Sequence, residues 1–144
     1  MRFIPKPHGE FKLRWQGDVF IVEYFDLWND VTAHQLLEQS LPMWQSHQGK
    51  AWGLLSDARS WSGATPEAIE AWWKFFEMGV QHGMVAFTGL LPSELHVRLV
   101  ETLSQRAMQL VPYERSADMD EAFRWLAERG ISGDETLSHP FPIF

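Results

Sequence analysis

Residues 51–56 read AWGLLS, and this apolar run decides the fold. A run that is this short and almost uninterrupted is typical of a strand covered on both faces, as in a parallel sheet. Residues 84–88, which read MVAFT, have the same character. The sequence therefore predicts two inner strands of one sheet, with helices packed against it.

The residues before the first inner strand predict a β-hairpin. Phe11, Leu13 and Trp15 alternate with polar residues, and this period of two places apolar side chains on one face of a strand. Gly17-Asp18 suits a two-residue turn, and Val19 to Phe25 then forms the returning strand. At least one strand of the sheet is therefore expected to run antiparallel to its neighbour.

Helical spacing follows the hairpin and each inner strand. Asn29 or Asp30 can cap a first helix. Pro42 lies inside it and removes one backbone hydrogen bond, so we expect a kink or a break near Gln39. Thr65 caps a second helix that ends at Gly83.

A third helix begins at Pro92, and Ser116 or Asp118 caps the last one. Between these two helices, residues 111–115 form the last strand. This strand contains Pro112, which has no amide hydrogen to donate and is therefore tolerated mainly at a sheet edge. We expect the strand to lie outermost.

The predicted element order is β-β-α-β-α-β-α-β-α. Strands that alternate with helices indicate an α/β fold with a single mixed, mostly parallel five-stranded sheet and helices packed on it. We expect one domain over residues 1–144, with its core at about 11–130 and an apolar C-terminal tail at 131–144. Because residues 137–144, LSHPFPIF, are apolar yet broken by prolines, we expect this end to dock on its own body or on a second copy, which would form a homodimer.

Composition argues against several classes of function. The formal net charge of -7 and the scattered Lys and Arg disfavour nucleic acid as a partner. The absence of cysteine excludes disulfides and thiolate zinc sites, and the six histidines lack a spacing that puts two on one helix face, so we predict no metal and no cofactor. No apolar run reaches membrane-spanning length and residues 1–10 lack a signal-like stretch, which predicts a cytoplasmic protein without a membrane span.

Two stretches resemble a known family. Residues 52–61 give an apolar strand followed by Asp-x-Arg-x-Trp, and residues 122–126, AFRWL, lie in the last helix. Together with the opening hairpin they resemble the STAS domain and its SpoIIAA-like relatives, in particular the uncharacterised SpoIIAA-like proteins, over about residues 11–130. The resemblance implies a SpoIIAA-like fold and a binding or regulatory role.

The resemblance also implies a switch. In anti-sigma-factor antagonists of this family, a partner kinase phosphorylates the serine directly after the aspartate that ends the third strand, and the added charge changes partner binding. Asp57 matches that aspartate, but Ala58 follows it. The nearest hydroxyls, and so the candidate phosphorylation sites, are Ser60, Ser62 and Thr65.

Topology selects a candidate binding site. In open sheets with parallel strands, ligands bind beyond the carboxyl ends of the strands, where the connecting loops converge. We predict such a loop after the strand at 51–56, and the candidate binding residues are Asp57, Arg59, Ser60, Trp61, Ser62, Thr65 and Thr88. Arg59 beside Trp61 could hold an anion or a planar group; alternatively, Arg59 pairs with Asp57 and Thr65 only caps its helix.

The chain is rich in tryptophan, with eight residues of this type. Trp72 and Trp73 are adjacent, and successive helix residues diverge by about 100 degrees, so we expect one of the two near a surface or groove. Such side chains can line an apolar pocket or a subunit interface, although filling the core is their usual role.

Three functions remain open on these residues. The first is a non-enzymatic binding or regulatory module that recognises a protein partner or a small apolar or anionic ligand; it is favoured because no catalytic motif is present. The second is an antagonist switched by phosphorylation of Ser60, Ser62 or Thr65. The third is a small hydrolase or lyase that uses Asp57 with a distant histidine.

Overall fold

The computed structural model describes residues 6–134. The predicted tail at 137–144 therefore lies outside the described residues. The described strands are β1 (Glu10–Gln16), β2 (Val19–Trp28), β3 (Trp52–Ala64), β4 (Met84–Leu90) and β5 (Tyr113–Arg115). The helices are α1 (Asp30–Gln45), α2 (Pro66–Gln81), α3 (Glu94–Leu99), α4 (Glu101–Met108) and α5 (Met119–Glu128).

The five strands form one sheet in the order β1-β2-β3-β4-β5. β1 pairs antiparallel with β2, and all other pairs are parallel. The predicted mixed, mostly parallel sheet is therefore confirmed, and so is the position of β5 at its edge. Asn29, Thr65 and Asp118 cap α1, α2 and α5, each by accepting a backbone hydrogen bond on its side chain.

Two helices differ from the expectation. α1 is continuous through Pro42, so the predicted break is wrong. The proline side chain is exposed, whereas Trp44 beyond it is buried and holds the last turn of α1 against the core. The predicted third helix is divided into α3 and α4, because Val100 between them leaves the helical conformation while its side chain lines a pocket.

Each face of the sheet has its own core. On one face, aromatic side chains of β2 and β3, such as Phe20 and Trp52, pack under α1 and α2. On the other face, Ile21 and Leu55 pack under α5. Because neighbouring strand residues point to opposite faces, these two cores alternate along β2 and β3. We call the two sides the α2 face and the α5 face.

The predicted loop after Ser56 is instead strand. β3 continues to Ala64 and stays paired with β2, whose last residue, Trp28, lies opposite Ala64. The register shifts between Glu23 and Phe25, so this part of the ladder is bulged. The sequence SDARSWSG reads as a loop, but the extra length of β2 supplies pairing for it, and the buried side chains Ala58 and Trp61 hold it on the core.

Candidate functional site

An apolar pocket opens on the α2 face, at the carboxyl ends of β2, β3 and β4. Its walls come from the ends of these strands, from α2 and from α4, with residues of β5 and of the segments around α3. The lining residues are Tyr24, Trp28, Ser56, Ala58, Trp61, Ala64, Ala68, Ile69, Trp72, Phe87, Gly89, Leu90, Leu91, Val100, Leu103, Ser104 and Tyr113. None of them carries a charge at neutral pH.

The size of the pocket limits what it can hold. Its volume is about 80 Å³, and an engineered apolar cavity that binds benzene measures about 150 Å³. The pocket is also open on one side. It can therefore accommodate a small group, or one end of a larger apolar molecule that projects through the opening.

The inner wall carries a hydrogen-bonded network of three side chains. The Tyr24 hydroxyl lies 2.8 Å from Ser56 Oγ, and it accepts a hydrogen bond of 3.0 Å from Trp72 Nε1. Burial raises the pKa of Tyr24 to about 12, although its hydrogen bonds with Ser56 and Trp72 oppose that rise. The phenol is therefore neutral at physiological pH.

Aromatic rings build the rest of the wall. The Trp28 indole donates a hydrogen bond of 3.0 Å to the Phe25 carbonyl, which fixes its ring beside Tyr24 at a centroid distance of 5.0 Å. Phe87 and Tyr113 are 4.8 Å apart between centroids. These rings are held by neighbours on the strands, so the wall is preformed rather than assembled by a ligand.

A polar groove is lined by Asp57, Arg59 and Ser60 of β3 and by residues 23–25 of β2, so that Tyr24 contributes to both the groove and the pocket. Arg59 donates two side-chain hydrogen bonds of 2.8 Å to Asp57, one from Nε to Oδ1 and one from an Nη nitrogen to Oδ2. The pair lowers the pKa of Asp57, chiefly through the hydrogen bond from Arg59, and raises the pKa of Arg59 for the same reason. A carboxylate held in this way is a poor general base, because its proton affinity is reduced.

The structure separates the predicted site residues into three groups. Trp61 lines the apolar pocket, whereas Asp57, Arg59 and Ser60 line the polar groove. Ser62 is exposed, and its carbonyl oxygen lies 3.3 Å from His96 Nε2. Seven residues predicted as one crevice therefore do not form one.

Thr65 and Thr88 have local structural partners. Thr65 accepts a hydrogen bond of 3.2 Å from the Ala68 amide at the start of α2. Thr88 is fully buried, donates a hydrogen bond of 2.6 Å to the Glu114 carbonyl and lies 2.6 Å from Ser116 Oγ. These contacts fasten β4 to β5 and leave Thr88 away from the pocket lining.

The polar network of the pocket, Tyr24, Ser56 and Trp72, was not predicted from the sequence. Tyr24 and Ser56 each interrupt an otherwise apolar strand, and that is the signal that could have found them. Buried hydroxyls in a strand require partners, and two such residues on neighbouring strands are natural candidates. One of the two adjacent indoles, Trp72 or Trp73, is predicted near a surface or groove, and Trp72 lines the pocket. Trp73 is also buried, under the guanidinium of Arg106, which lies 4.1 Å from its ring centroid.

Clusters of metal ligands and membrane-spanning helices are absent from residues 6–134. No group of three His, Asp or Glu side chains in this part of the chain is arranged to hold a metal ion. Among the described helices, none combines the length and the apolar character that crossing a bilayer requires.

The fold has known counterparts. The chain has a SpoIIAA-like fold, a mixed five-stranded sheet with helices. It is similar to an uncharacterised protein of the DUF3478 family with a SpoIIAA-like fold from Shewanella loihica PV-4, with a TM-score of 0.59 and 12% identity over 88% of this chain and 99% of that one. It is also similar to the anti-sigma factor antagonist SpoIIAA in its unphosphorylated form, with a TM-score of 0.54 and 16% identity over 84% of this chain and 99% of that one. No family model and no curated protein sequence matches the chain.

Proposed function

We propose that this chain is a non-enzymatic binding module with a regulatory role, and that it takes a small apolar ligand into the pocket on the α2 face. The observation that carries the proposal is the composition of the pocket wall, which is apolar and aromatic with a few convergent polar atoms. Ligand sites in proteins have this composition. The SpoIIAA-like fold is compatible with the proposal, since one protein with that fold is an anti-sigma factor antagonist.

Small residues keep the pocket open. Ala58, Ala64, Ala68 and Gly89 lie in its wall, at positions where larger apolar side chains would bury more surface. Protein interiors are normally packed without voids, and unfilled apolar volume costs stability. A ligand that fills the volume would recover part of that cost.

The test uses α-methylstyrene as an apolar probe and follows the indole N–H signals in proton–nitrogen NMR spectra. We expect saturable shifts at the three indoles that line the pocket, Trp28, Trp61 and Trp72, because the probe would contact them. Trp44 and Trp125, which lie in the cores outside the lining, should not shift. Equal shifts at all indoles, or no saturable shift, would contradict the proposal.

A matched pair of variants locates the binding. Leu103→Trp places an indole in the pocket wall and should reduce probe affinity by at least about ten-fold, because it fills the volume that the probe needs. Leu110→Trp makes the same change at an exposed leucine outside the lining, where affinity should be unchanged. Equal affinities in the two variants would place the probe elsewhere.

A second candidate function is a phosphorylation-controlled interaction with a protein partner. Ser60 and Ser62 are exposed on β3, and Ser60 lies in the groove beside Arg59. A phosphate on Ser60 would add negative charge next to Asp57 and could draw Arg59 away from it. Thr65 is less suited, because its hydroxyl caps α2.

Phosphopeptide mass spectrometry of the protein isolated from its native cells tests this second function. Occupancy at Ser60 or Ser62 above that of Thr102, an exposed reference hydroxyl that does not cap a helix, would support it. Absence of phosphate at both serines, while phosphopeptides of other proteins are recovered from the same cells, would exclude it under those conditions.

A further inference from the structure

The Tyr24 and Ser56 hydroxyls in the pocket wall have two hydrogens to donate, but the described residues around them accept only one. Tyr24 and Ser56 each bring one hydroxyl hydrogen, and one of the two lies between their oxygens over 2.8 Å. Trp72 Nε1 is a donor only, so it uses a lone pair of the Tyr24 oxygen and takes up no hydrogen. Within residues 6–134 no acceptor receives the second hydroxyl hydrogen.

This surplus does not depend on which hydroxyl donates. If Tyr24 donates to Ser56, the Ser56 hydrogen is free; if Ser56 donates to Tyr24, the Tyr24 hydrogen is free. Both residues line the pocket, and both are at least nine-tenths buried. Buried donors are normally paired, and leaving one unpaired costs free energy.

The other residues of the pocket lining favour an acceptor without a charge. Within residues 6–134 no Lys, Arg or His lines the pocket, so a carboxylate or phosphate placed inside would lose its hydration without gaining an opposite charge from these residues. A neutral oxygen loses much less on transfer, and one hydrogen bond compensates most of that loss.

We propose that the ligand of this pocket is a neutral, mainly apolar molecule that carries a hydrogen-bond acceptor, such as a ketone, ester or amide oxygen, and that this oxygen receives the spare hydroxyl hydrogen of the Tyr24–Ser56 pair. The inference rests on the proposed function, since it assigns the chemistry of the same pocket. It predicts selectivity that a merely apolar cavity would not have.

The test compares acetophenone with α-methylstyrene, which differ only in that an oxygen replaces a CH2 group. Removing the donors as a set requires three changes, Tyr24→Phe, Ser56→Ala and Trp72→Phe, because Tyr24 or Trp72 could supply a hydrogen after a smaller change. The ratio of the two affinities is the readout, since an altered pocket volume affects both compounds alike. We expect the preference for acetophenone to fall about five-fold or more in the triple variant.

A second measurement applies to the unmodified protein and so does not depend on folding of the variant. The carbonyl stretching frequency of bound acetophenone should lie below its value in an alkane solvent, because a hydrogen bond weakens the C=O bond. Benzoate, which has a similar size but carries a charge, should bind more weakly than acetophenone.

The outcomes separate this inference from the proposed function. If both neutral compounds bind with the same affinity ratio in the two proteins and the carbonyl frequency equals its alkane value, the pocket is an apolar site and the acceptor is wrong. Tighter binding of benzoate would overturn the requirement for a neutral ligand. If neither acetophenone nor α-methylstyrene binds the unmodified protein, the proposed function itself fails.

Discussion

The apolar pocket and the polar groove use adjacent residues of the same two strands and yet differ in what they can bind. In the pocket, the hydroxyls of Tyr24 and Ser56 are buried, neutral and short of one acceptor. In the groove, Asp57 and Arg59 are charged, and each satisfies the other through two hydrogen bonds. A ligand gains binding free energy by covering exposed apolar surface and by accepting hydrogen bonds from donors that lack a partner in the protein. The apolar pocket offers both, so it is the better candidate for a ligand site.

The largest expected difference between them is in stability. Trp72→Ala removes a buried indole that packs on Phe76 and Phe87 and donates to Tyr24. We expect it to lower the free energy of unfolding by about 3–5 kcal/mol. Arg59→Ala removes a side chain that is 53% exposed from its ion pair with Asp57, whose side chain is 13% exposed, and because solvent screens the guanidinium the change should cost about 1 kcal/mol. Urea denaturation of both variants measures the two values.

The contrast between pocket and groove rests on unequal losses of stability in the two variants. If Arg59→Ala costs as much as Trp72→Ala, the groove contributes to the core of the fold and is not a surface feature. Lys74→Ala, at an exposed position of α2, provides the baseline for removing a charged side chain.

A second difference appears at alkaline pH. Burial raises the pKa of Tyr24 in the folded protein from its ordinary value of 10.0 to about 12, so the unfolded chain ionises first as the pH rises. The stability that comes from keeping the phenol neutral is therefore complete below pH 10 and is lost as the pH rises towards 12, by on the order of 2 kcal/mol. Denaturation of the unmodified protein across this interval measures the loss.

Two phenylalanine variants show how much of the alkaline loss of stability comes from Tyr24. Below pH 10, Tyr24→Phe should be less stable than the unmodified protein, because Trp72 loses its acceptor, and its stability should fall less between pH 10 and 12. Tyr113→Phe removes the only other tyrosine and corrects for its contribution, since burial raises the pKa of Tyr113 as well. An alkaline transition that is the same with and without Tyr24 would show that the pocket network is not its source.

The sheet was predictable because its signals are local. The apolar runs at 51–56 and 84–88, the turn at Gly17-Asp18 and the proline of the edge strand each report burial or backbone restriction at their own positions. These features indicated which two strands are internal, which strand lies at the edge, and that the sheet is mostly parallel with one antiparallel pair. The second half of β3 was not predictable in this way, because residues 57–64 have loop composition and become strand only by pairing with the unusually long β2.

The candidate site was predictable only in part for the same reason. The rule that ligands bind beyond the carboxyl ends of parallel strands selected the end of the sheet at which the apolar pocket opens. It could not tell which face carries a pocket, since that depends on the bulge after Glu23 and on where α4 lies. Trp61 was therefore predicted, whereas Tyr24 and Ser56 were not, although they lie on the same end of the sheet.

The space available for an added methyl group differs between the α2 face and the α5 face. Gly89 lines the pocket, and a methyl group added there would meet its nearest neighbours at 3.5 Å or more. Gly89→Ala should therefore raise the free energy of unfolding by about 0.5–1 kcal/mol, because glycine is unfavourable within a strand. It should also weaken binding of α-methylstyrene, since the methyl group narrows the pocket.

Gly53 provides the matched change on the α5 face. A methyl group there would lie 2.8 Å from Leu126 and 3.1 Å from Ile131, so Gly53→Ala should destabilise the protein. Thermal unfolding of the two variants tests the opposite signs. A loss of stability in Gly89→Ala as large as in Gly53→Ala would mean that the wall of the pocket is as tightly packed as the core.

The smallest expected effect concerns the pH dependence of the groove. Arg59 lowers the pKa of Asp57 below the ordinary value of 3.8, so the unfolded chain binds this proton more readily than the folded one. The pair therefore contributes stability above pH 3.8, and that contribution disappears as the pH falls through the lower folded pKa of Asp57. Because the Arg59 side chain is 53% exposed, solvent screens the pair and the contribution should be at most about 1 kcal/mol.

Asp57→Asn measures this contribution directly. At pH 7 its free energy of unfolding should be lower than that of the unmodified protein by the full contribution of the pair, as measured by urea denaturation. This difference should shrink as the pH falls through the folded pKa of Asp57. At pH 7 its affinity for α-methylstyrene should equal that of the unmodified protein, because Asp57 is not part of the pocket lining. If Asp57→Asn abolished probe binding while the fold persisted, the pocket and the groove would act as one site, and the distinction between the two would have to be abandoned.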